Sequence, residues 1–157
     1  MSSSIDFPQN ITQVHFIKLR LFDTKGKEVA NTFYWRSNDK YEGRKTLTGP
    51  TSSGFEDLSK LKQVQLKTRY KAYQEGDRHF IKAEIKNPSS TVAFFTQLQL
   101  LDQDKKPVRP SFYTDNFFSL LPGESKTVII ETATSDMPSE PTFVVKGWNI
   151  KSNNFKL

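Results

Sequence analysis

Val64-Gln65-Leu66-Lys67-Thr68-Arg69-Tyr70-Lys71-Ala72 is the stretch on which the fold turns. Val64, Leu66, Thr68, Tyr70 and Ala72 fall on one side of an extended chain, and Gln65, Lys67, Arg69 and Lys71 on the other. Successive side chains of a strand point to opposite faces, so this period of two predicts a half-buried antiparallel strand. The pattern continues downstream. Glu75-Gly76-Asp77 is a turn, after which Ile81, Ala83 and Ile85 point inward. Asn87-Pro88-Ser89-Ser90 stops that strand. Val92 to Leu101 is apolar and aromatic, as in a central sandwich strand, and Asp102 to Lys106 turns the chain again. An aromatic-rich segment runs from Val108 to Leu120, and Pro122-Gly123-Glu124 leads into a strand from Lys126 to Thr132. Met137 to Pro141 is a proline-bearing loop, and Thr142 to Trp148 is the expected last strand. Turns at roughly every 12 residues without a helical period predict an all-β antiparallel sandwich.

Upstream, Val14 to Phe22 and Glu28 to Trp35 flank the turn Asp23-Thr24-Lys25-Gly26-Lys27 and predict a hairpin. Gly43 to Gly54 lacks alternation and is rich in Gly, Ser, Thr and Pro, as in a linker. Ser53-Gly54-Phe55-Glu56 has the form of a capping box with Ser53 at N-cap, so Phe55, Leu58 and Leu61 are expected on one face of a short helix. An internal echo links the two halves. Phe16, Leu19, Leu21, Asp23, Lys27, Val29, Phe33 and Tyr34 match Phe95, Leu98, Leu100, Asp102, Lys106, Val108, Phe112 and Tyr113, with the same offset throughout. Two related modules in tandem are expected. Residues 1–40 are then the last hairpin of a first module, 41–59 a linker with a helical turn, and 60–152 a whole second module.

Composition bounds the function. The 157 residues carry 13 phenylalanines and no cysteine. That excludes bulk disorder, disulfide scaffolds, thiol catalysis and Cys-based metal sites. No apolar run approaches the roughly 18 residues of a membrane helix, and no signal peptide is visible at the N-terminus. The 23 Lys and Arg give a net charge of +6. They are scattered at alternate strand positions and read as a solvated surface, so neither nucleic acid nor membrane is expected as partner.

Catalytic patterns are weak. Glu56-Asp57 and Asp102/Asp104 are the obvious carboxylate pairs, but both fall in expected turns with no apolar pocket to raise a pKa. There is no nucleophile elbow, P-loop or dinucleotide fingerprint. His15 and His79 lie in separate strands without neighbours at metal-ligand spacing, so no metal or cofactor is expected. Asp102-x-Asp104 begins like a calcium loop but lacks its later glycine and glutamate. Asn10-Ile11-Thr12 is a glycosylation triplet, informative only in a secretory eukaryotic setting. What remains is aromatic: Phe33-Tyr34-Trp35, Phe112-Tyr113, Phe117-Phe118 and Trp148. Exposed rings stack on sugars and buried ones fill a core; of two adjacent rings on a strand, one faces out.

Several motifs, in order, resemble a known family. They are Asn31-Thr32-Phe33-Tyr34-Trp35, Phe55-Glu56-Asp57-Leu58-Ser59-Lys60-Leu61, and Asn87-Pro88-Ser89 leading into Ala93-Phe94-Phe95. Then come Tyr113-Thr114-Asp115-Asn116-Phe117-Phe118-Ser119-Leu120-Leu121-Pro122-Gly123-Glu124 and Gly147-Trp148-Asn149. The series resembles the C-terminal immunoglobulin-like domains of glycoside hydrolase family 2, of the β-mannosidase and exo-β-D-glucosaminidase type. The resemblance implies an immunoglobulin-like sandwich at the end of a large retaining glycosidase. The catalytic glutamates of such enzymes lie in a (β/α)8 barrel to which no position here corresponds. The expected role is non-catalytic: packing on the other domains of the parent enzyme and stabilising them. The expected setting is the bacterial periplasm or exterior. Trp35, Tyr113, Asp115, Asn116, Phe118 and Trp148 are the candidates for bordering the cleft or touching glycan. An independent carbohydrate-binding module using exposed aromatics is the alternative.

Overall fold

The computed structural model describes Pro8, residues 10–37 and residues 54–157. Two compact units result, Met1–Leu61 and Lys62–Leu157. The linker lies mostly outside the described residues, as does Ser53.

The first unit holds the hairpin of β1 (Val14–Phe22) and β2 (Glu28–Ser37). Its register pairs Phe16 with Trp35, Leu19 with Thr32 and Leu21 with Ala30. The Asp23 carboxylate closes the turn by accepting from the N–H groups of Lys25 and Lys27, each at 2.9 Å. Gly26 takes the left-handed position of that turn, with φ +78°. Glu56–Lys60 forms a 3-10 helix rather than an α-helical turn, with Phe55 as its N-cap and no side-chain cap. Residues at i and i+3 eclipse in such a helix. Leu58 is accordingly buried, and Phe55 and Leu61 half-buried.

The second unit is a sandwich of two antiparallel four-stranded sheets. One has the order β3-β4-β8-β6, formed by Lys67–Glu75, Arg78–Lys86, Ser125–Ala133 and Phe112–Tyr113. The other has the order β10-β9-β5-β7, formed by Ile150–Lys156, Thr142–Gly147, Ala93–Leu101 and Phe118–Leu120. Ile81, Ala83, Ile85, Val128 and Ile130 face Leu98, Leu100, Phe143 and Val145 in one core. Fully burying each Val, Leu, Ile or Phe of this set stabilises by about 1.5–3 kcal/mol. The all-β, immunoglobulin-like expectation holds.

Three further details differ from the sequence reading. The opening strand runs only from Lys67, with Val64 and Leu66 buried ahead of it and Tyr70 and Ala72 exposed because β3 is an edge strand. Thr142 to Trp148 is not the last strand, because β10 follows it and pairs back on β9. Its polar Lys151-Ser152-Asn153-Asn154 has low strand propensity and is tolerated because β10 is an edge strand. The segment Val108 to Leu120 is also split. Val108 still bonds to Leu100 O at 3.0 Å, but Phe112–Tyr113 joins β8 in the opposite sheet and Phe118–Leu120 returns to β5. The Arg109–Pro110 peptide in this crossing is cis.

The echo is structural at its turn. Asp102 accepts from the N–H groups of Asp104 and Lys106 at 2.9 and 2.8 Å, as Asp23 does for Lys25 and Lys27. Lys105 takes the left-handed position held by Gly26, with φ +62°. Burial separates the two copies. Leu98 and Leu100 are 1% and 0% exposed, whereas their counterparts Leu19 and Leu21 are 45% and 61% exposed.

Candidate functional site

One end of the sheet β10-β9-β5-β7 is built around Gly147-Trp148-Asn149. A side chain at Gly147 would collide with Ile150 Cδ1 and sit 2.9 and 3.0 Å from the carbonyl oxygens of Phe95 and Phe94. Glycine lets the backbones approach that closely. Trp148 N–H then donates to Phe94 O at 3.0 Å. The buried Asn149 side chain ties three segments together. Its Oδ1 accepts from Phe94 N–H at 2.9 Å, and its Nδ2 donates to Val92 O at 2.8 Å and Lys62 O at 2.9 Å. Burying an amide is favourable only with its partners supplied, as they are here.

At this corner β5 changes partner from β7 to β9 and its register shifts between Ala93 and Thr96. The irregularity turns Phe94 inward and Phe95 outward. Phe95 and Phe117 adopt left-handed backbone, with φ +58° and +56°. That conformation costs a non-glycine residue about 1–2 kcal/mol. Their rings meet at 5.4 Å, and the Phe94 ring bridges to Phe95 at 5.7 Å and to Trp148 at 6.5 Å. Phe95, Phe117 and Trp148 are exposed. The strained backbone thus displays an aromatic surface. The sequence offered Phe117-Phe118 and Trp148 but not Phe95, because the left-handed turns that assemble the surface have no sequence signal without glycine.

The loop Tyr113 to Phe118 serves mostly the interior. The Tyr113 phenol oxygen accepts from Leu100 N–H at 2.9 Å. Burial pushes its pKa above the ordinary phenol value, opposed by hydrogen bonds with Leu100 and Ser111. Asn116 brackets Leu98, accepting from its N–H at 2.8 Å and donating to its carbonyl at 3.0 Å. Asp115 forms an ion pair with Lys126, whose ammonium lies 5.0 Å from the centre of the buried Phe118 ring. Trp35 belongs to the first unit, on β2, and is partly exposed. The structure therefore brings Tyr113, Asp115, Asn116 and Phe118 together as one support of β5 and β8.

The carboxylate pairs have local duties. Asp102 closes its turn, and Asp57 pairs with Lys60 at 2.7 Å. His15 is buried in β1 and His79 lies opposite Gln74. Among the described residues, no three His, Asp or Glu groups are placed to hold a metal.

Residues 46–150 match the family described as the exo-beta-D-glucosaminidase Ig-fold domain. The chain belongs to this family. An exo-beta-D-glucosaminidase of Streptomyces avermitilis is 30% identical over 161 residues, covering 94% of this chain and 18% of the relative. One from Amycolatopsis orientalis is 30% identical over 151 residues, covering 88% of this chain and 14% of the relative. The crystal structure of the Amycolatopsis orientalis exo-chitosanase CsxA superposes with a TM-score of 0.81 at 25% identity, over 98% of this chain and 19% of that one. The chain thus spans less than a fifth of the relatives it matches. The resemblance also took in β-mannosidases; these family members are exo-β-D-glucosaminidases.

Proposed function

We propose that this chain is the non-catalytic C-terminal part of a retaining family 2 exo-β-D-glucosaminidase. Its immunoglobulin-like domain would pack on the catalytic part and stabilise it. The supporting observation is the near-complete match of this chain to under a fifth of each relative. The conspicuous motif residues also serve the fold: Asn87, Tyr113, Asn116 and Asn149 all hold backbone. The test is deletion of residues 62–157 from the parent enzyme. The deletion should shorten the half-life of activity on heating far more than it lowers kcat at low temperature. An unchanged half-life would refute the stabilising role.

On the same reading, β1 and β2 complete a preceding immunoglobulin-like domain. Leu19, Leu21 and Tyr34 share one exposed face, while their counterparts Leu98, Leu100 and Tyr113 pack in the second unit. Hydrogen exchange should be slower in this hairpin within the parent enzyme than in the 157-residue chain. Equal exchange would refute it.

The exposure of Phe95, Phe117 and Trp148 favours a second reading, in which this aromatic surface touches glycan. Tyr113 is unsuited to that task because it packs against the core. Trp148→Ala should then weaken binding of glucosamine oligomers to the parent enzyme; unchanged binding removes this reading.

A further inference from the structure

The outer face of β3-β4-β8-β6 carries charge the fold does not need. Lys67, Arg69 and Lys71 project from β3, and Lys82, Glu84 and Lys86 from β4. All six are exposed. The register places Lys67 opposite Lys86, Arg69 opposite Glu84 and Lys71 opposite Lys82. Two of the three cross-strand pairs are therefore like-charged, an arrangement that destabilises a sheet. None of the five cations forms an ion pair among the described residues. Lysines on an edge strand guard it against edge-to-edge pairing, which accounts for β3. It does not account for Lys82 and Lys86, because β4 is flanked by β3 and β8.

We propose that this face binds a linear anionic polysaccharide running along β3 and β4. Lys67, Arg69 and Lys71 recur at about 6.6–6.8 Å along β3, and Lys82 and Lys86 lie about 4.8 Å beside it on β4, with Glu84 between them. That makes a strip with an excess of positive charge, continued by a shallow depression of about 520 Å³ lined by Lys71, Tyr73, Gln74, Glu75 and Lys82. Tyr73 and Phe80 bound the strip. Their rings stack on each other at 5.3 Å and 18°, so each has one face occupied by its neighbour. They make a poor platform for the unstacked bases of a single-stranded nucleic acid, and strands held within a four-stranded sheet offer no helix or free ribbon to enter a duplex groove. Four lysines to one arginine recognise charge rather than a bidentate group. The sign of the strip repels a glucosamine polymer in its ammonium form, so the strip is distinct in ligand from a glucosaminidase cleft. The choice of a polysaccharide rests on the glycosidase reading; the binding test below involves no catalysis and can fail independently of it.

The test uses the 157-residue chain and polygalacturonate as probe. Binding should be measurable at low ionic strength and weaken steeply with salt. Lys71→Glu with Lys82→Glu should weaken it about tenfold. Lys105→Glu with Lys106→Glu makes the same change in net charge on the Asp102–Lys106 turn, outside the strip, and should leave affinity within about twofold. Lys71→Gln with Lys82→Gln serves as the milder pair should the charge reversal unfold the chain. Equal losses in the strip and turn variants would overturn the proposal, as would absence of binding by the unaltered chain. Tighter binding of a single-stranded oligonucleotide of equal charge would overturn the choice of polysaccharide.

Discussion

Replacing Asn149 by alanine should destabilise the second unit more than its lost volume suggests. The side chain makes three hydrogen bonds, to Phe94 N–H, Val92 O and Lys62 O, at 2.8–2.9 Å. Two of them are fully buried, with Phe94 itself 3% exposed. Alanine removes the partners and leaves those groups without water. Each orphaned group costs about 1–3 kcal/mol. Taking about 1.5 for each buried group and little for the third gives a loss of about 3 kcal/mol. A domain of this size has about 5–15 kcal/mol in total. With a urea slope near 1.5 kcal/mol/M, the midpoint should fall by about 2 M. Urea titration followed by tryptophan fluorescence reads this directly, because Trp148 adjoins the change. A loss below about 1 kcal/mol would refute the assignment of this residue as the tie between the three segments. Asn149→Asp supplies an internal check. It keeps an acceptor for Phe94 but sets a charged oxygen against two carbonyls, which raises the folded-state pKa of the new carboxyl. Its deficit should shrink as the pH falls towards the ordinary carboxyl value of about 4.

Three further outcomes are expected. Lys105→Gly should stabilise by up to about 1 kcal/mol in thermal melts, because it relieves left-handed strain; Gly26→Lys at the equivalent position should do the reverse. Lys82→Glu should raise the melting temperature, since it converts the Lys71–Lys82 pair into opposite charges worth about 0.2–1 kcal/mol. Tyr113→Phe should cost about 1–2 kcal/mol at neutral pH by stranding Leu100 N–H. It should also flatten part of the alkaline loss of stability. The folded phenol's pKa is raised, so its contribution is whole below the unfolded value near 10 and is lost as the pH rises through the folded one.

Legibility in the sequence followed burial. Ile81, Ala83 and Ile85 alternate with charged neighbours, and one face of that strand is buried, so the period alone placed it. β10 was hidden because an edge strand need not be apolar, and Lys151 to Asn154 carries no alternation to read. The division of Val108 to Leu120 was hidden for another reason. Phe112 and Phe118 look alike as letters, yet one joins β8 and the other lies beneath Lys126 beside β5. In the candidate site, Phe117-Phe118 and Trp148 were readable as candidate exposed aromatics, whereas Phe95 was not among them, because its outward turn depends on left-handed backbone that no glycine signals. The roles of Tyr113, Asn116 and Asn149 were not, because their partners are backbone atoms 13 to 87 residues away. The cationic strip likewise needs the β3–β4 register, since scattered lysines become a ladder only when Lys71 is set opposite Lys82.

The parallel bridge between Val64 and Ile150 carries a consequence for synthesis. Val64 N–H donates to Asn149 O at 2.7 Å, and Lys151 N–H donates to Val64 O at 2.9 Å. The first residues of the second unit are thus fastened by some of its last to be made. During translation, the sheets can begin to pair while the corner stays open. It closes only after Lys151 has left the ribosome. Contacts of such long sequence separation are slow to form. A nascent chain stalled short of Asn149 would therefore display Phe94, Val92 and the edge at Val64 to chaperones and proteases. The clamp therefore closes the second unit only once its own last strand has been made.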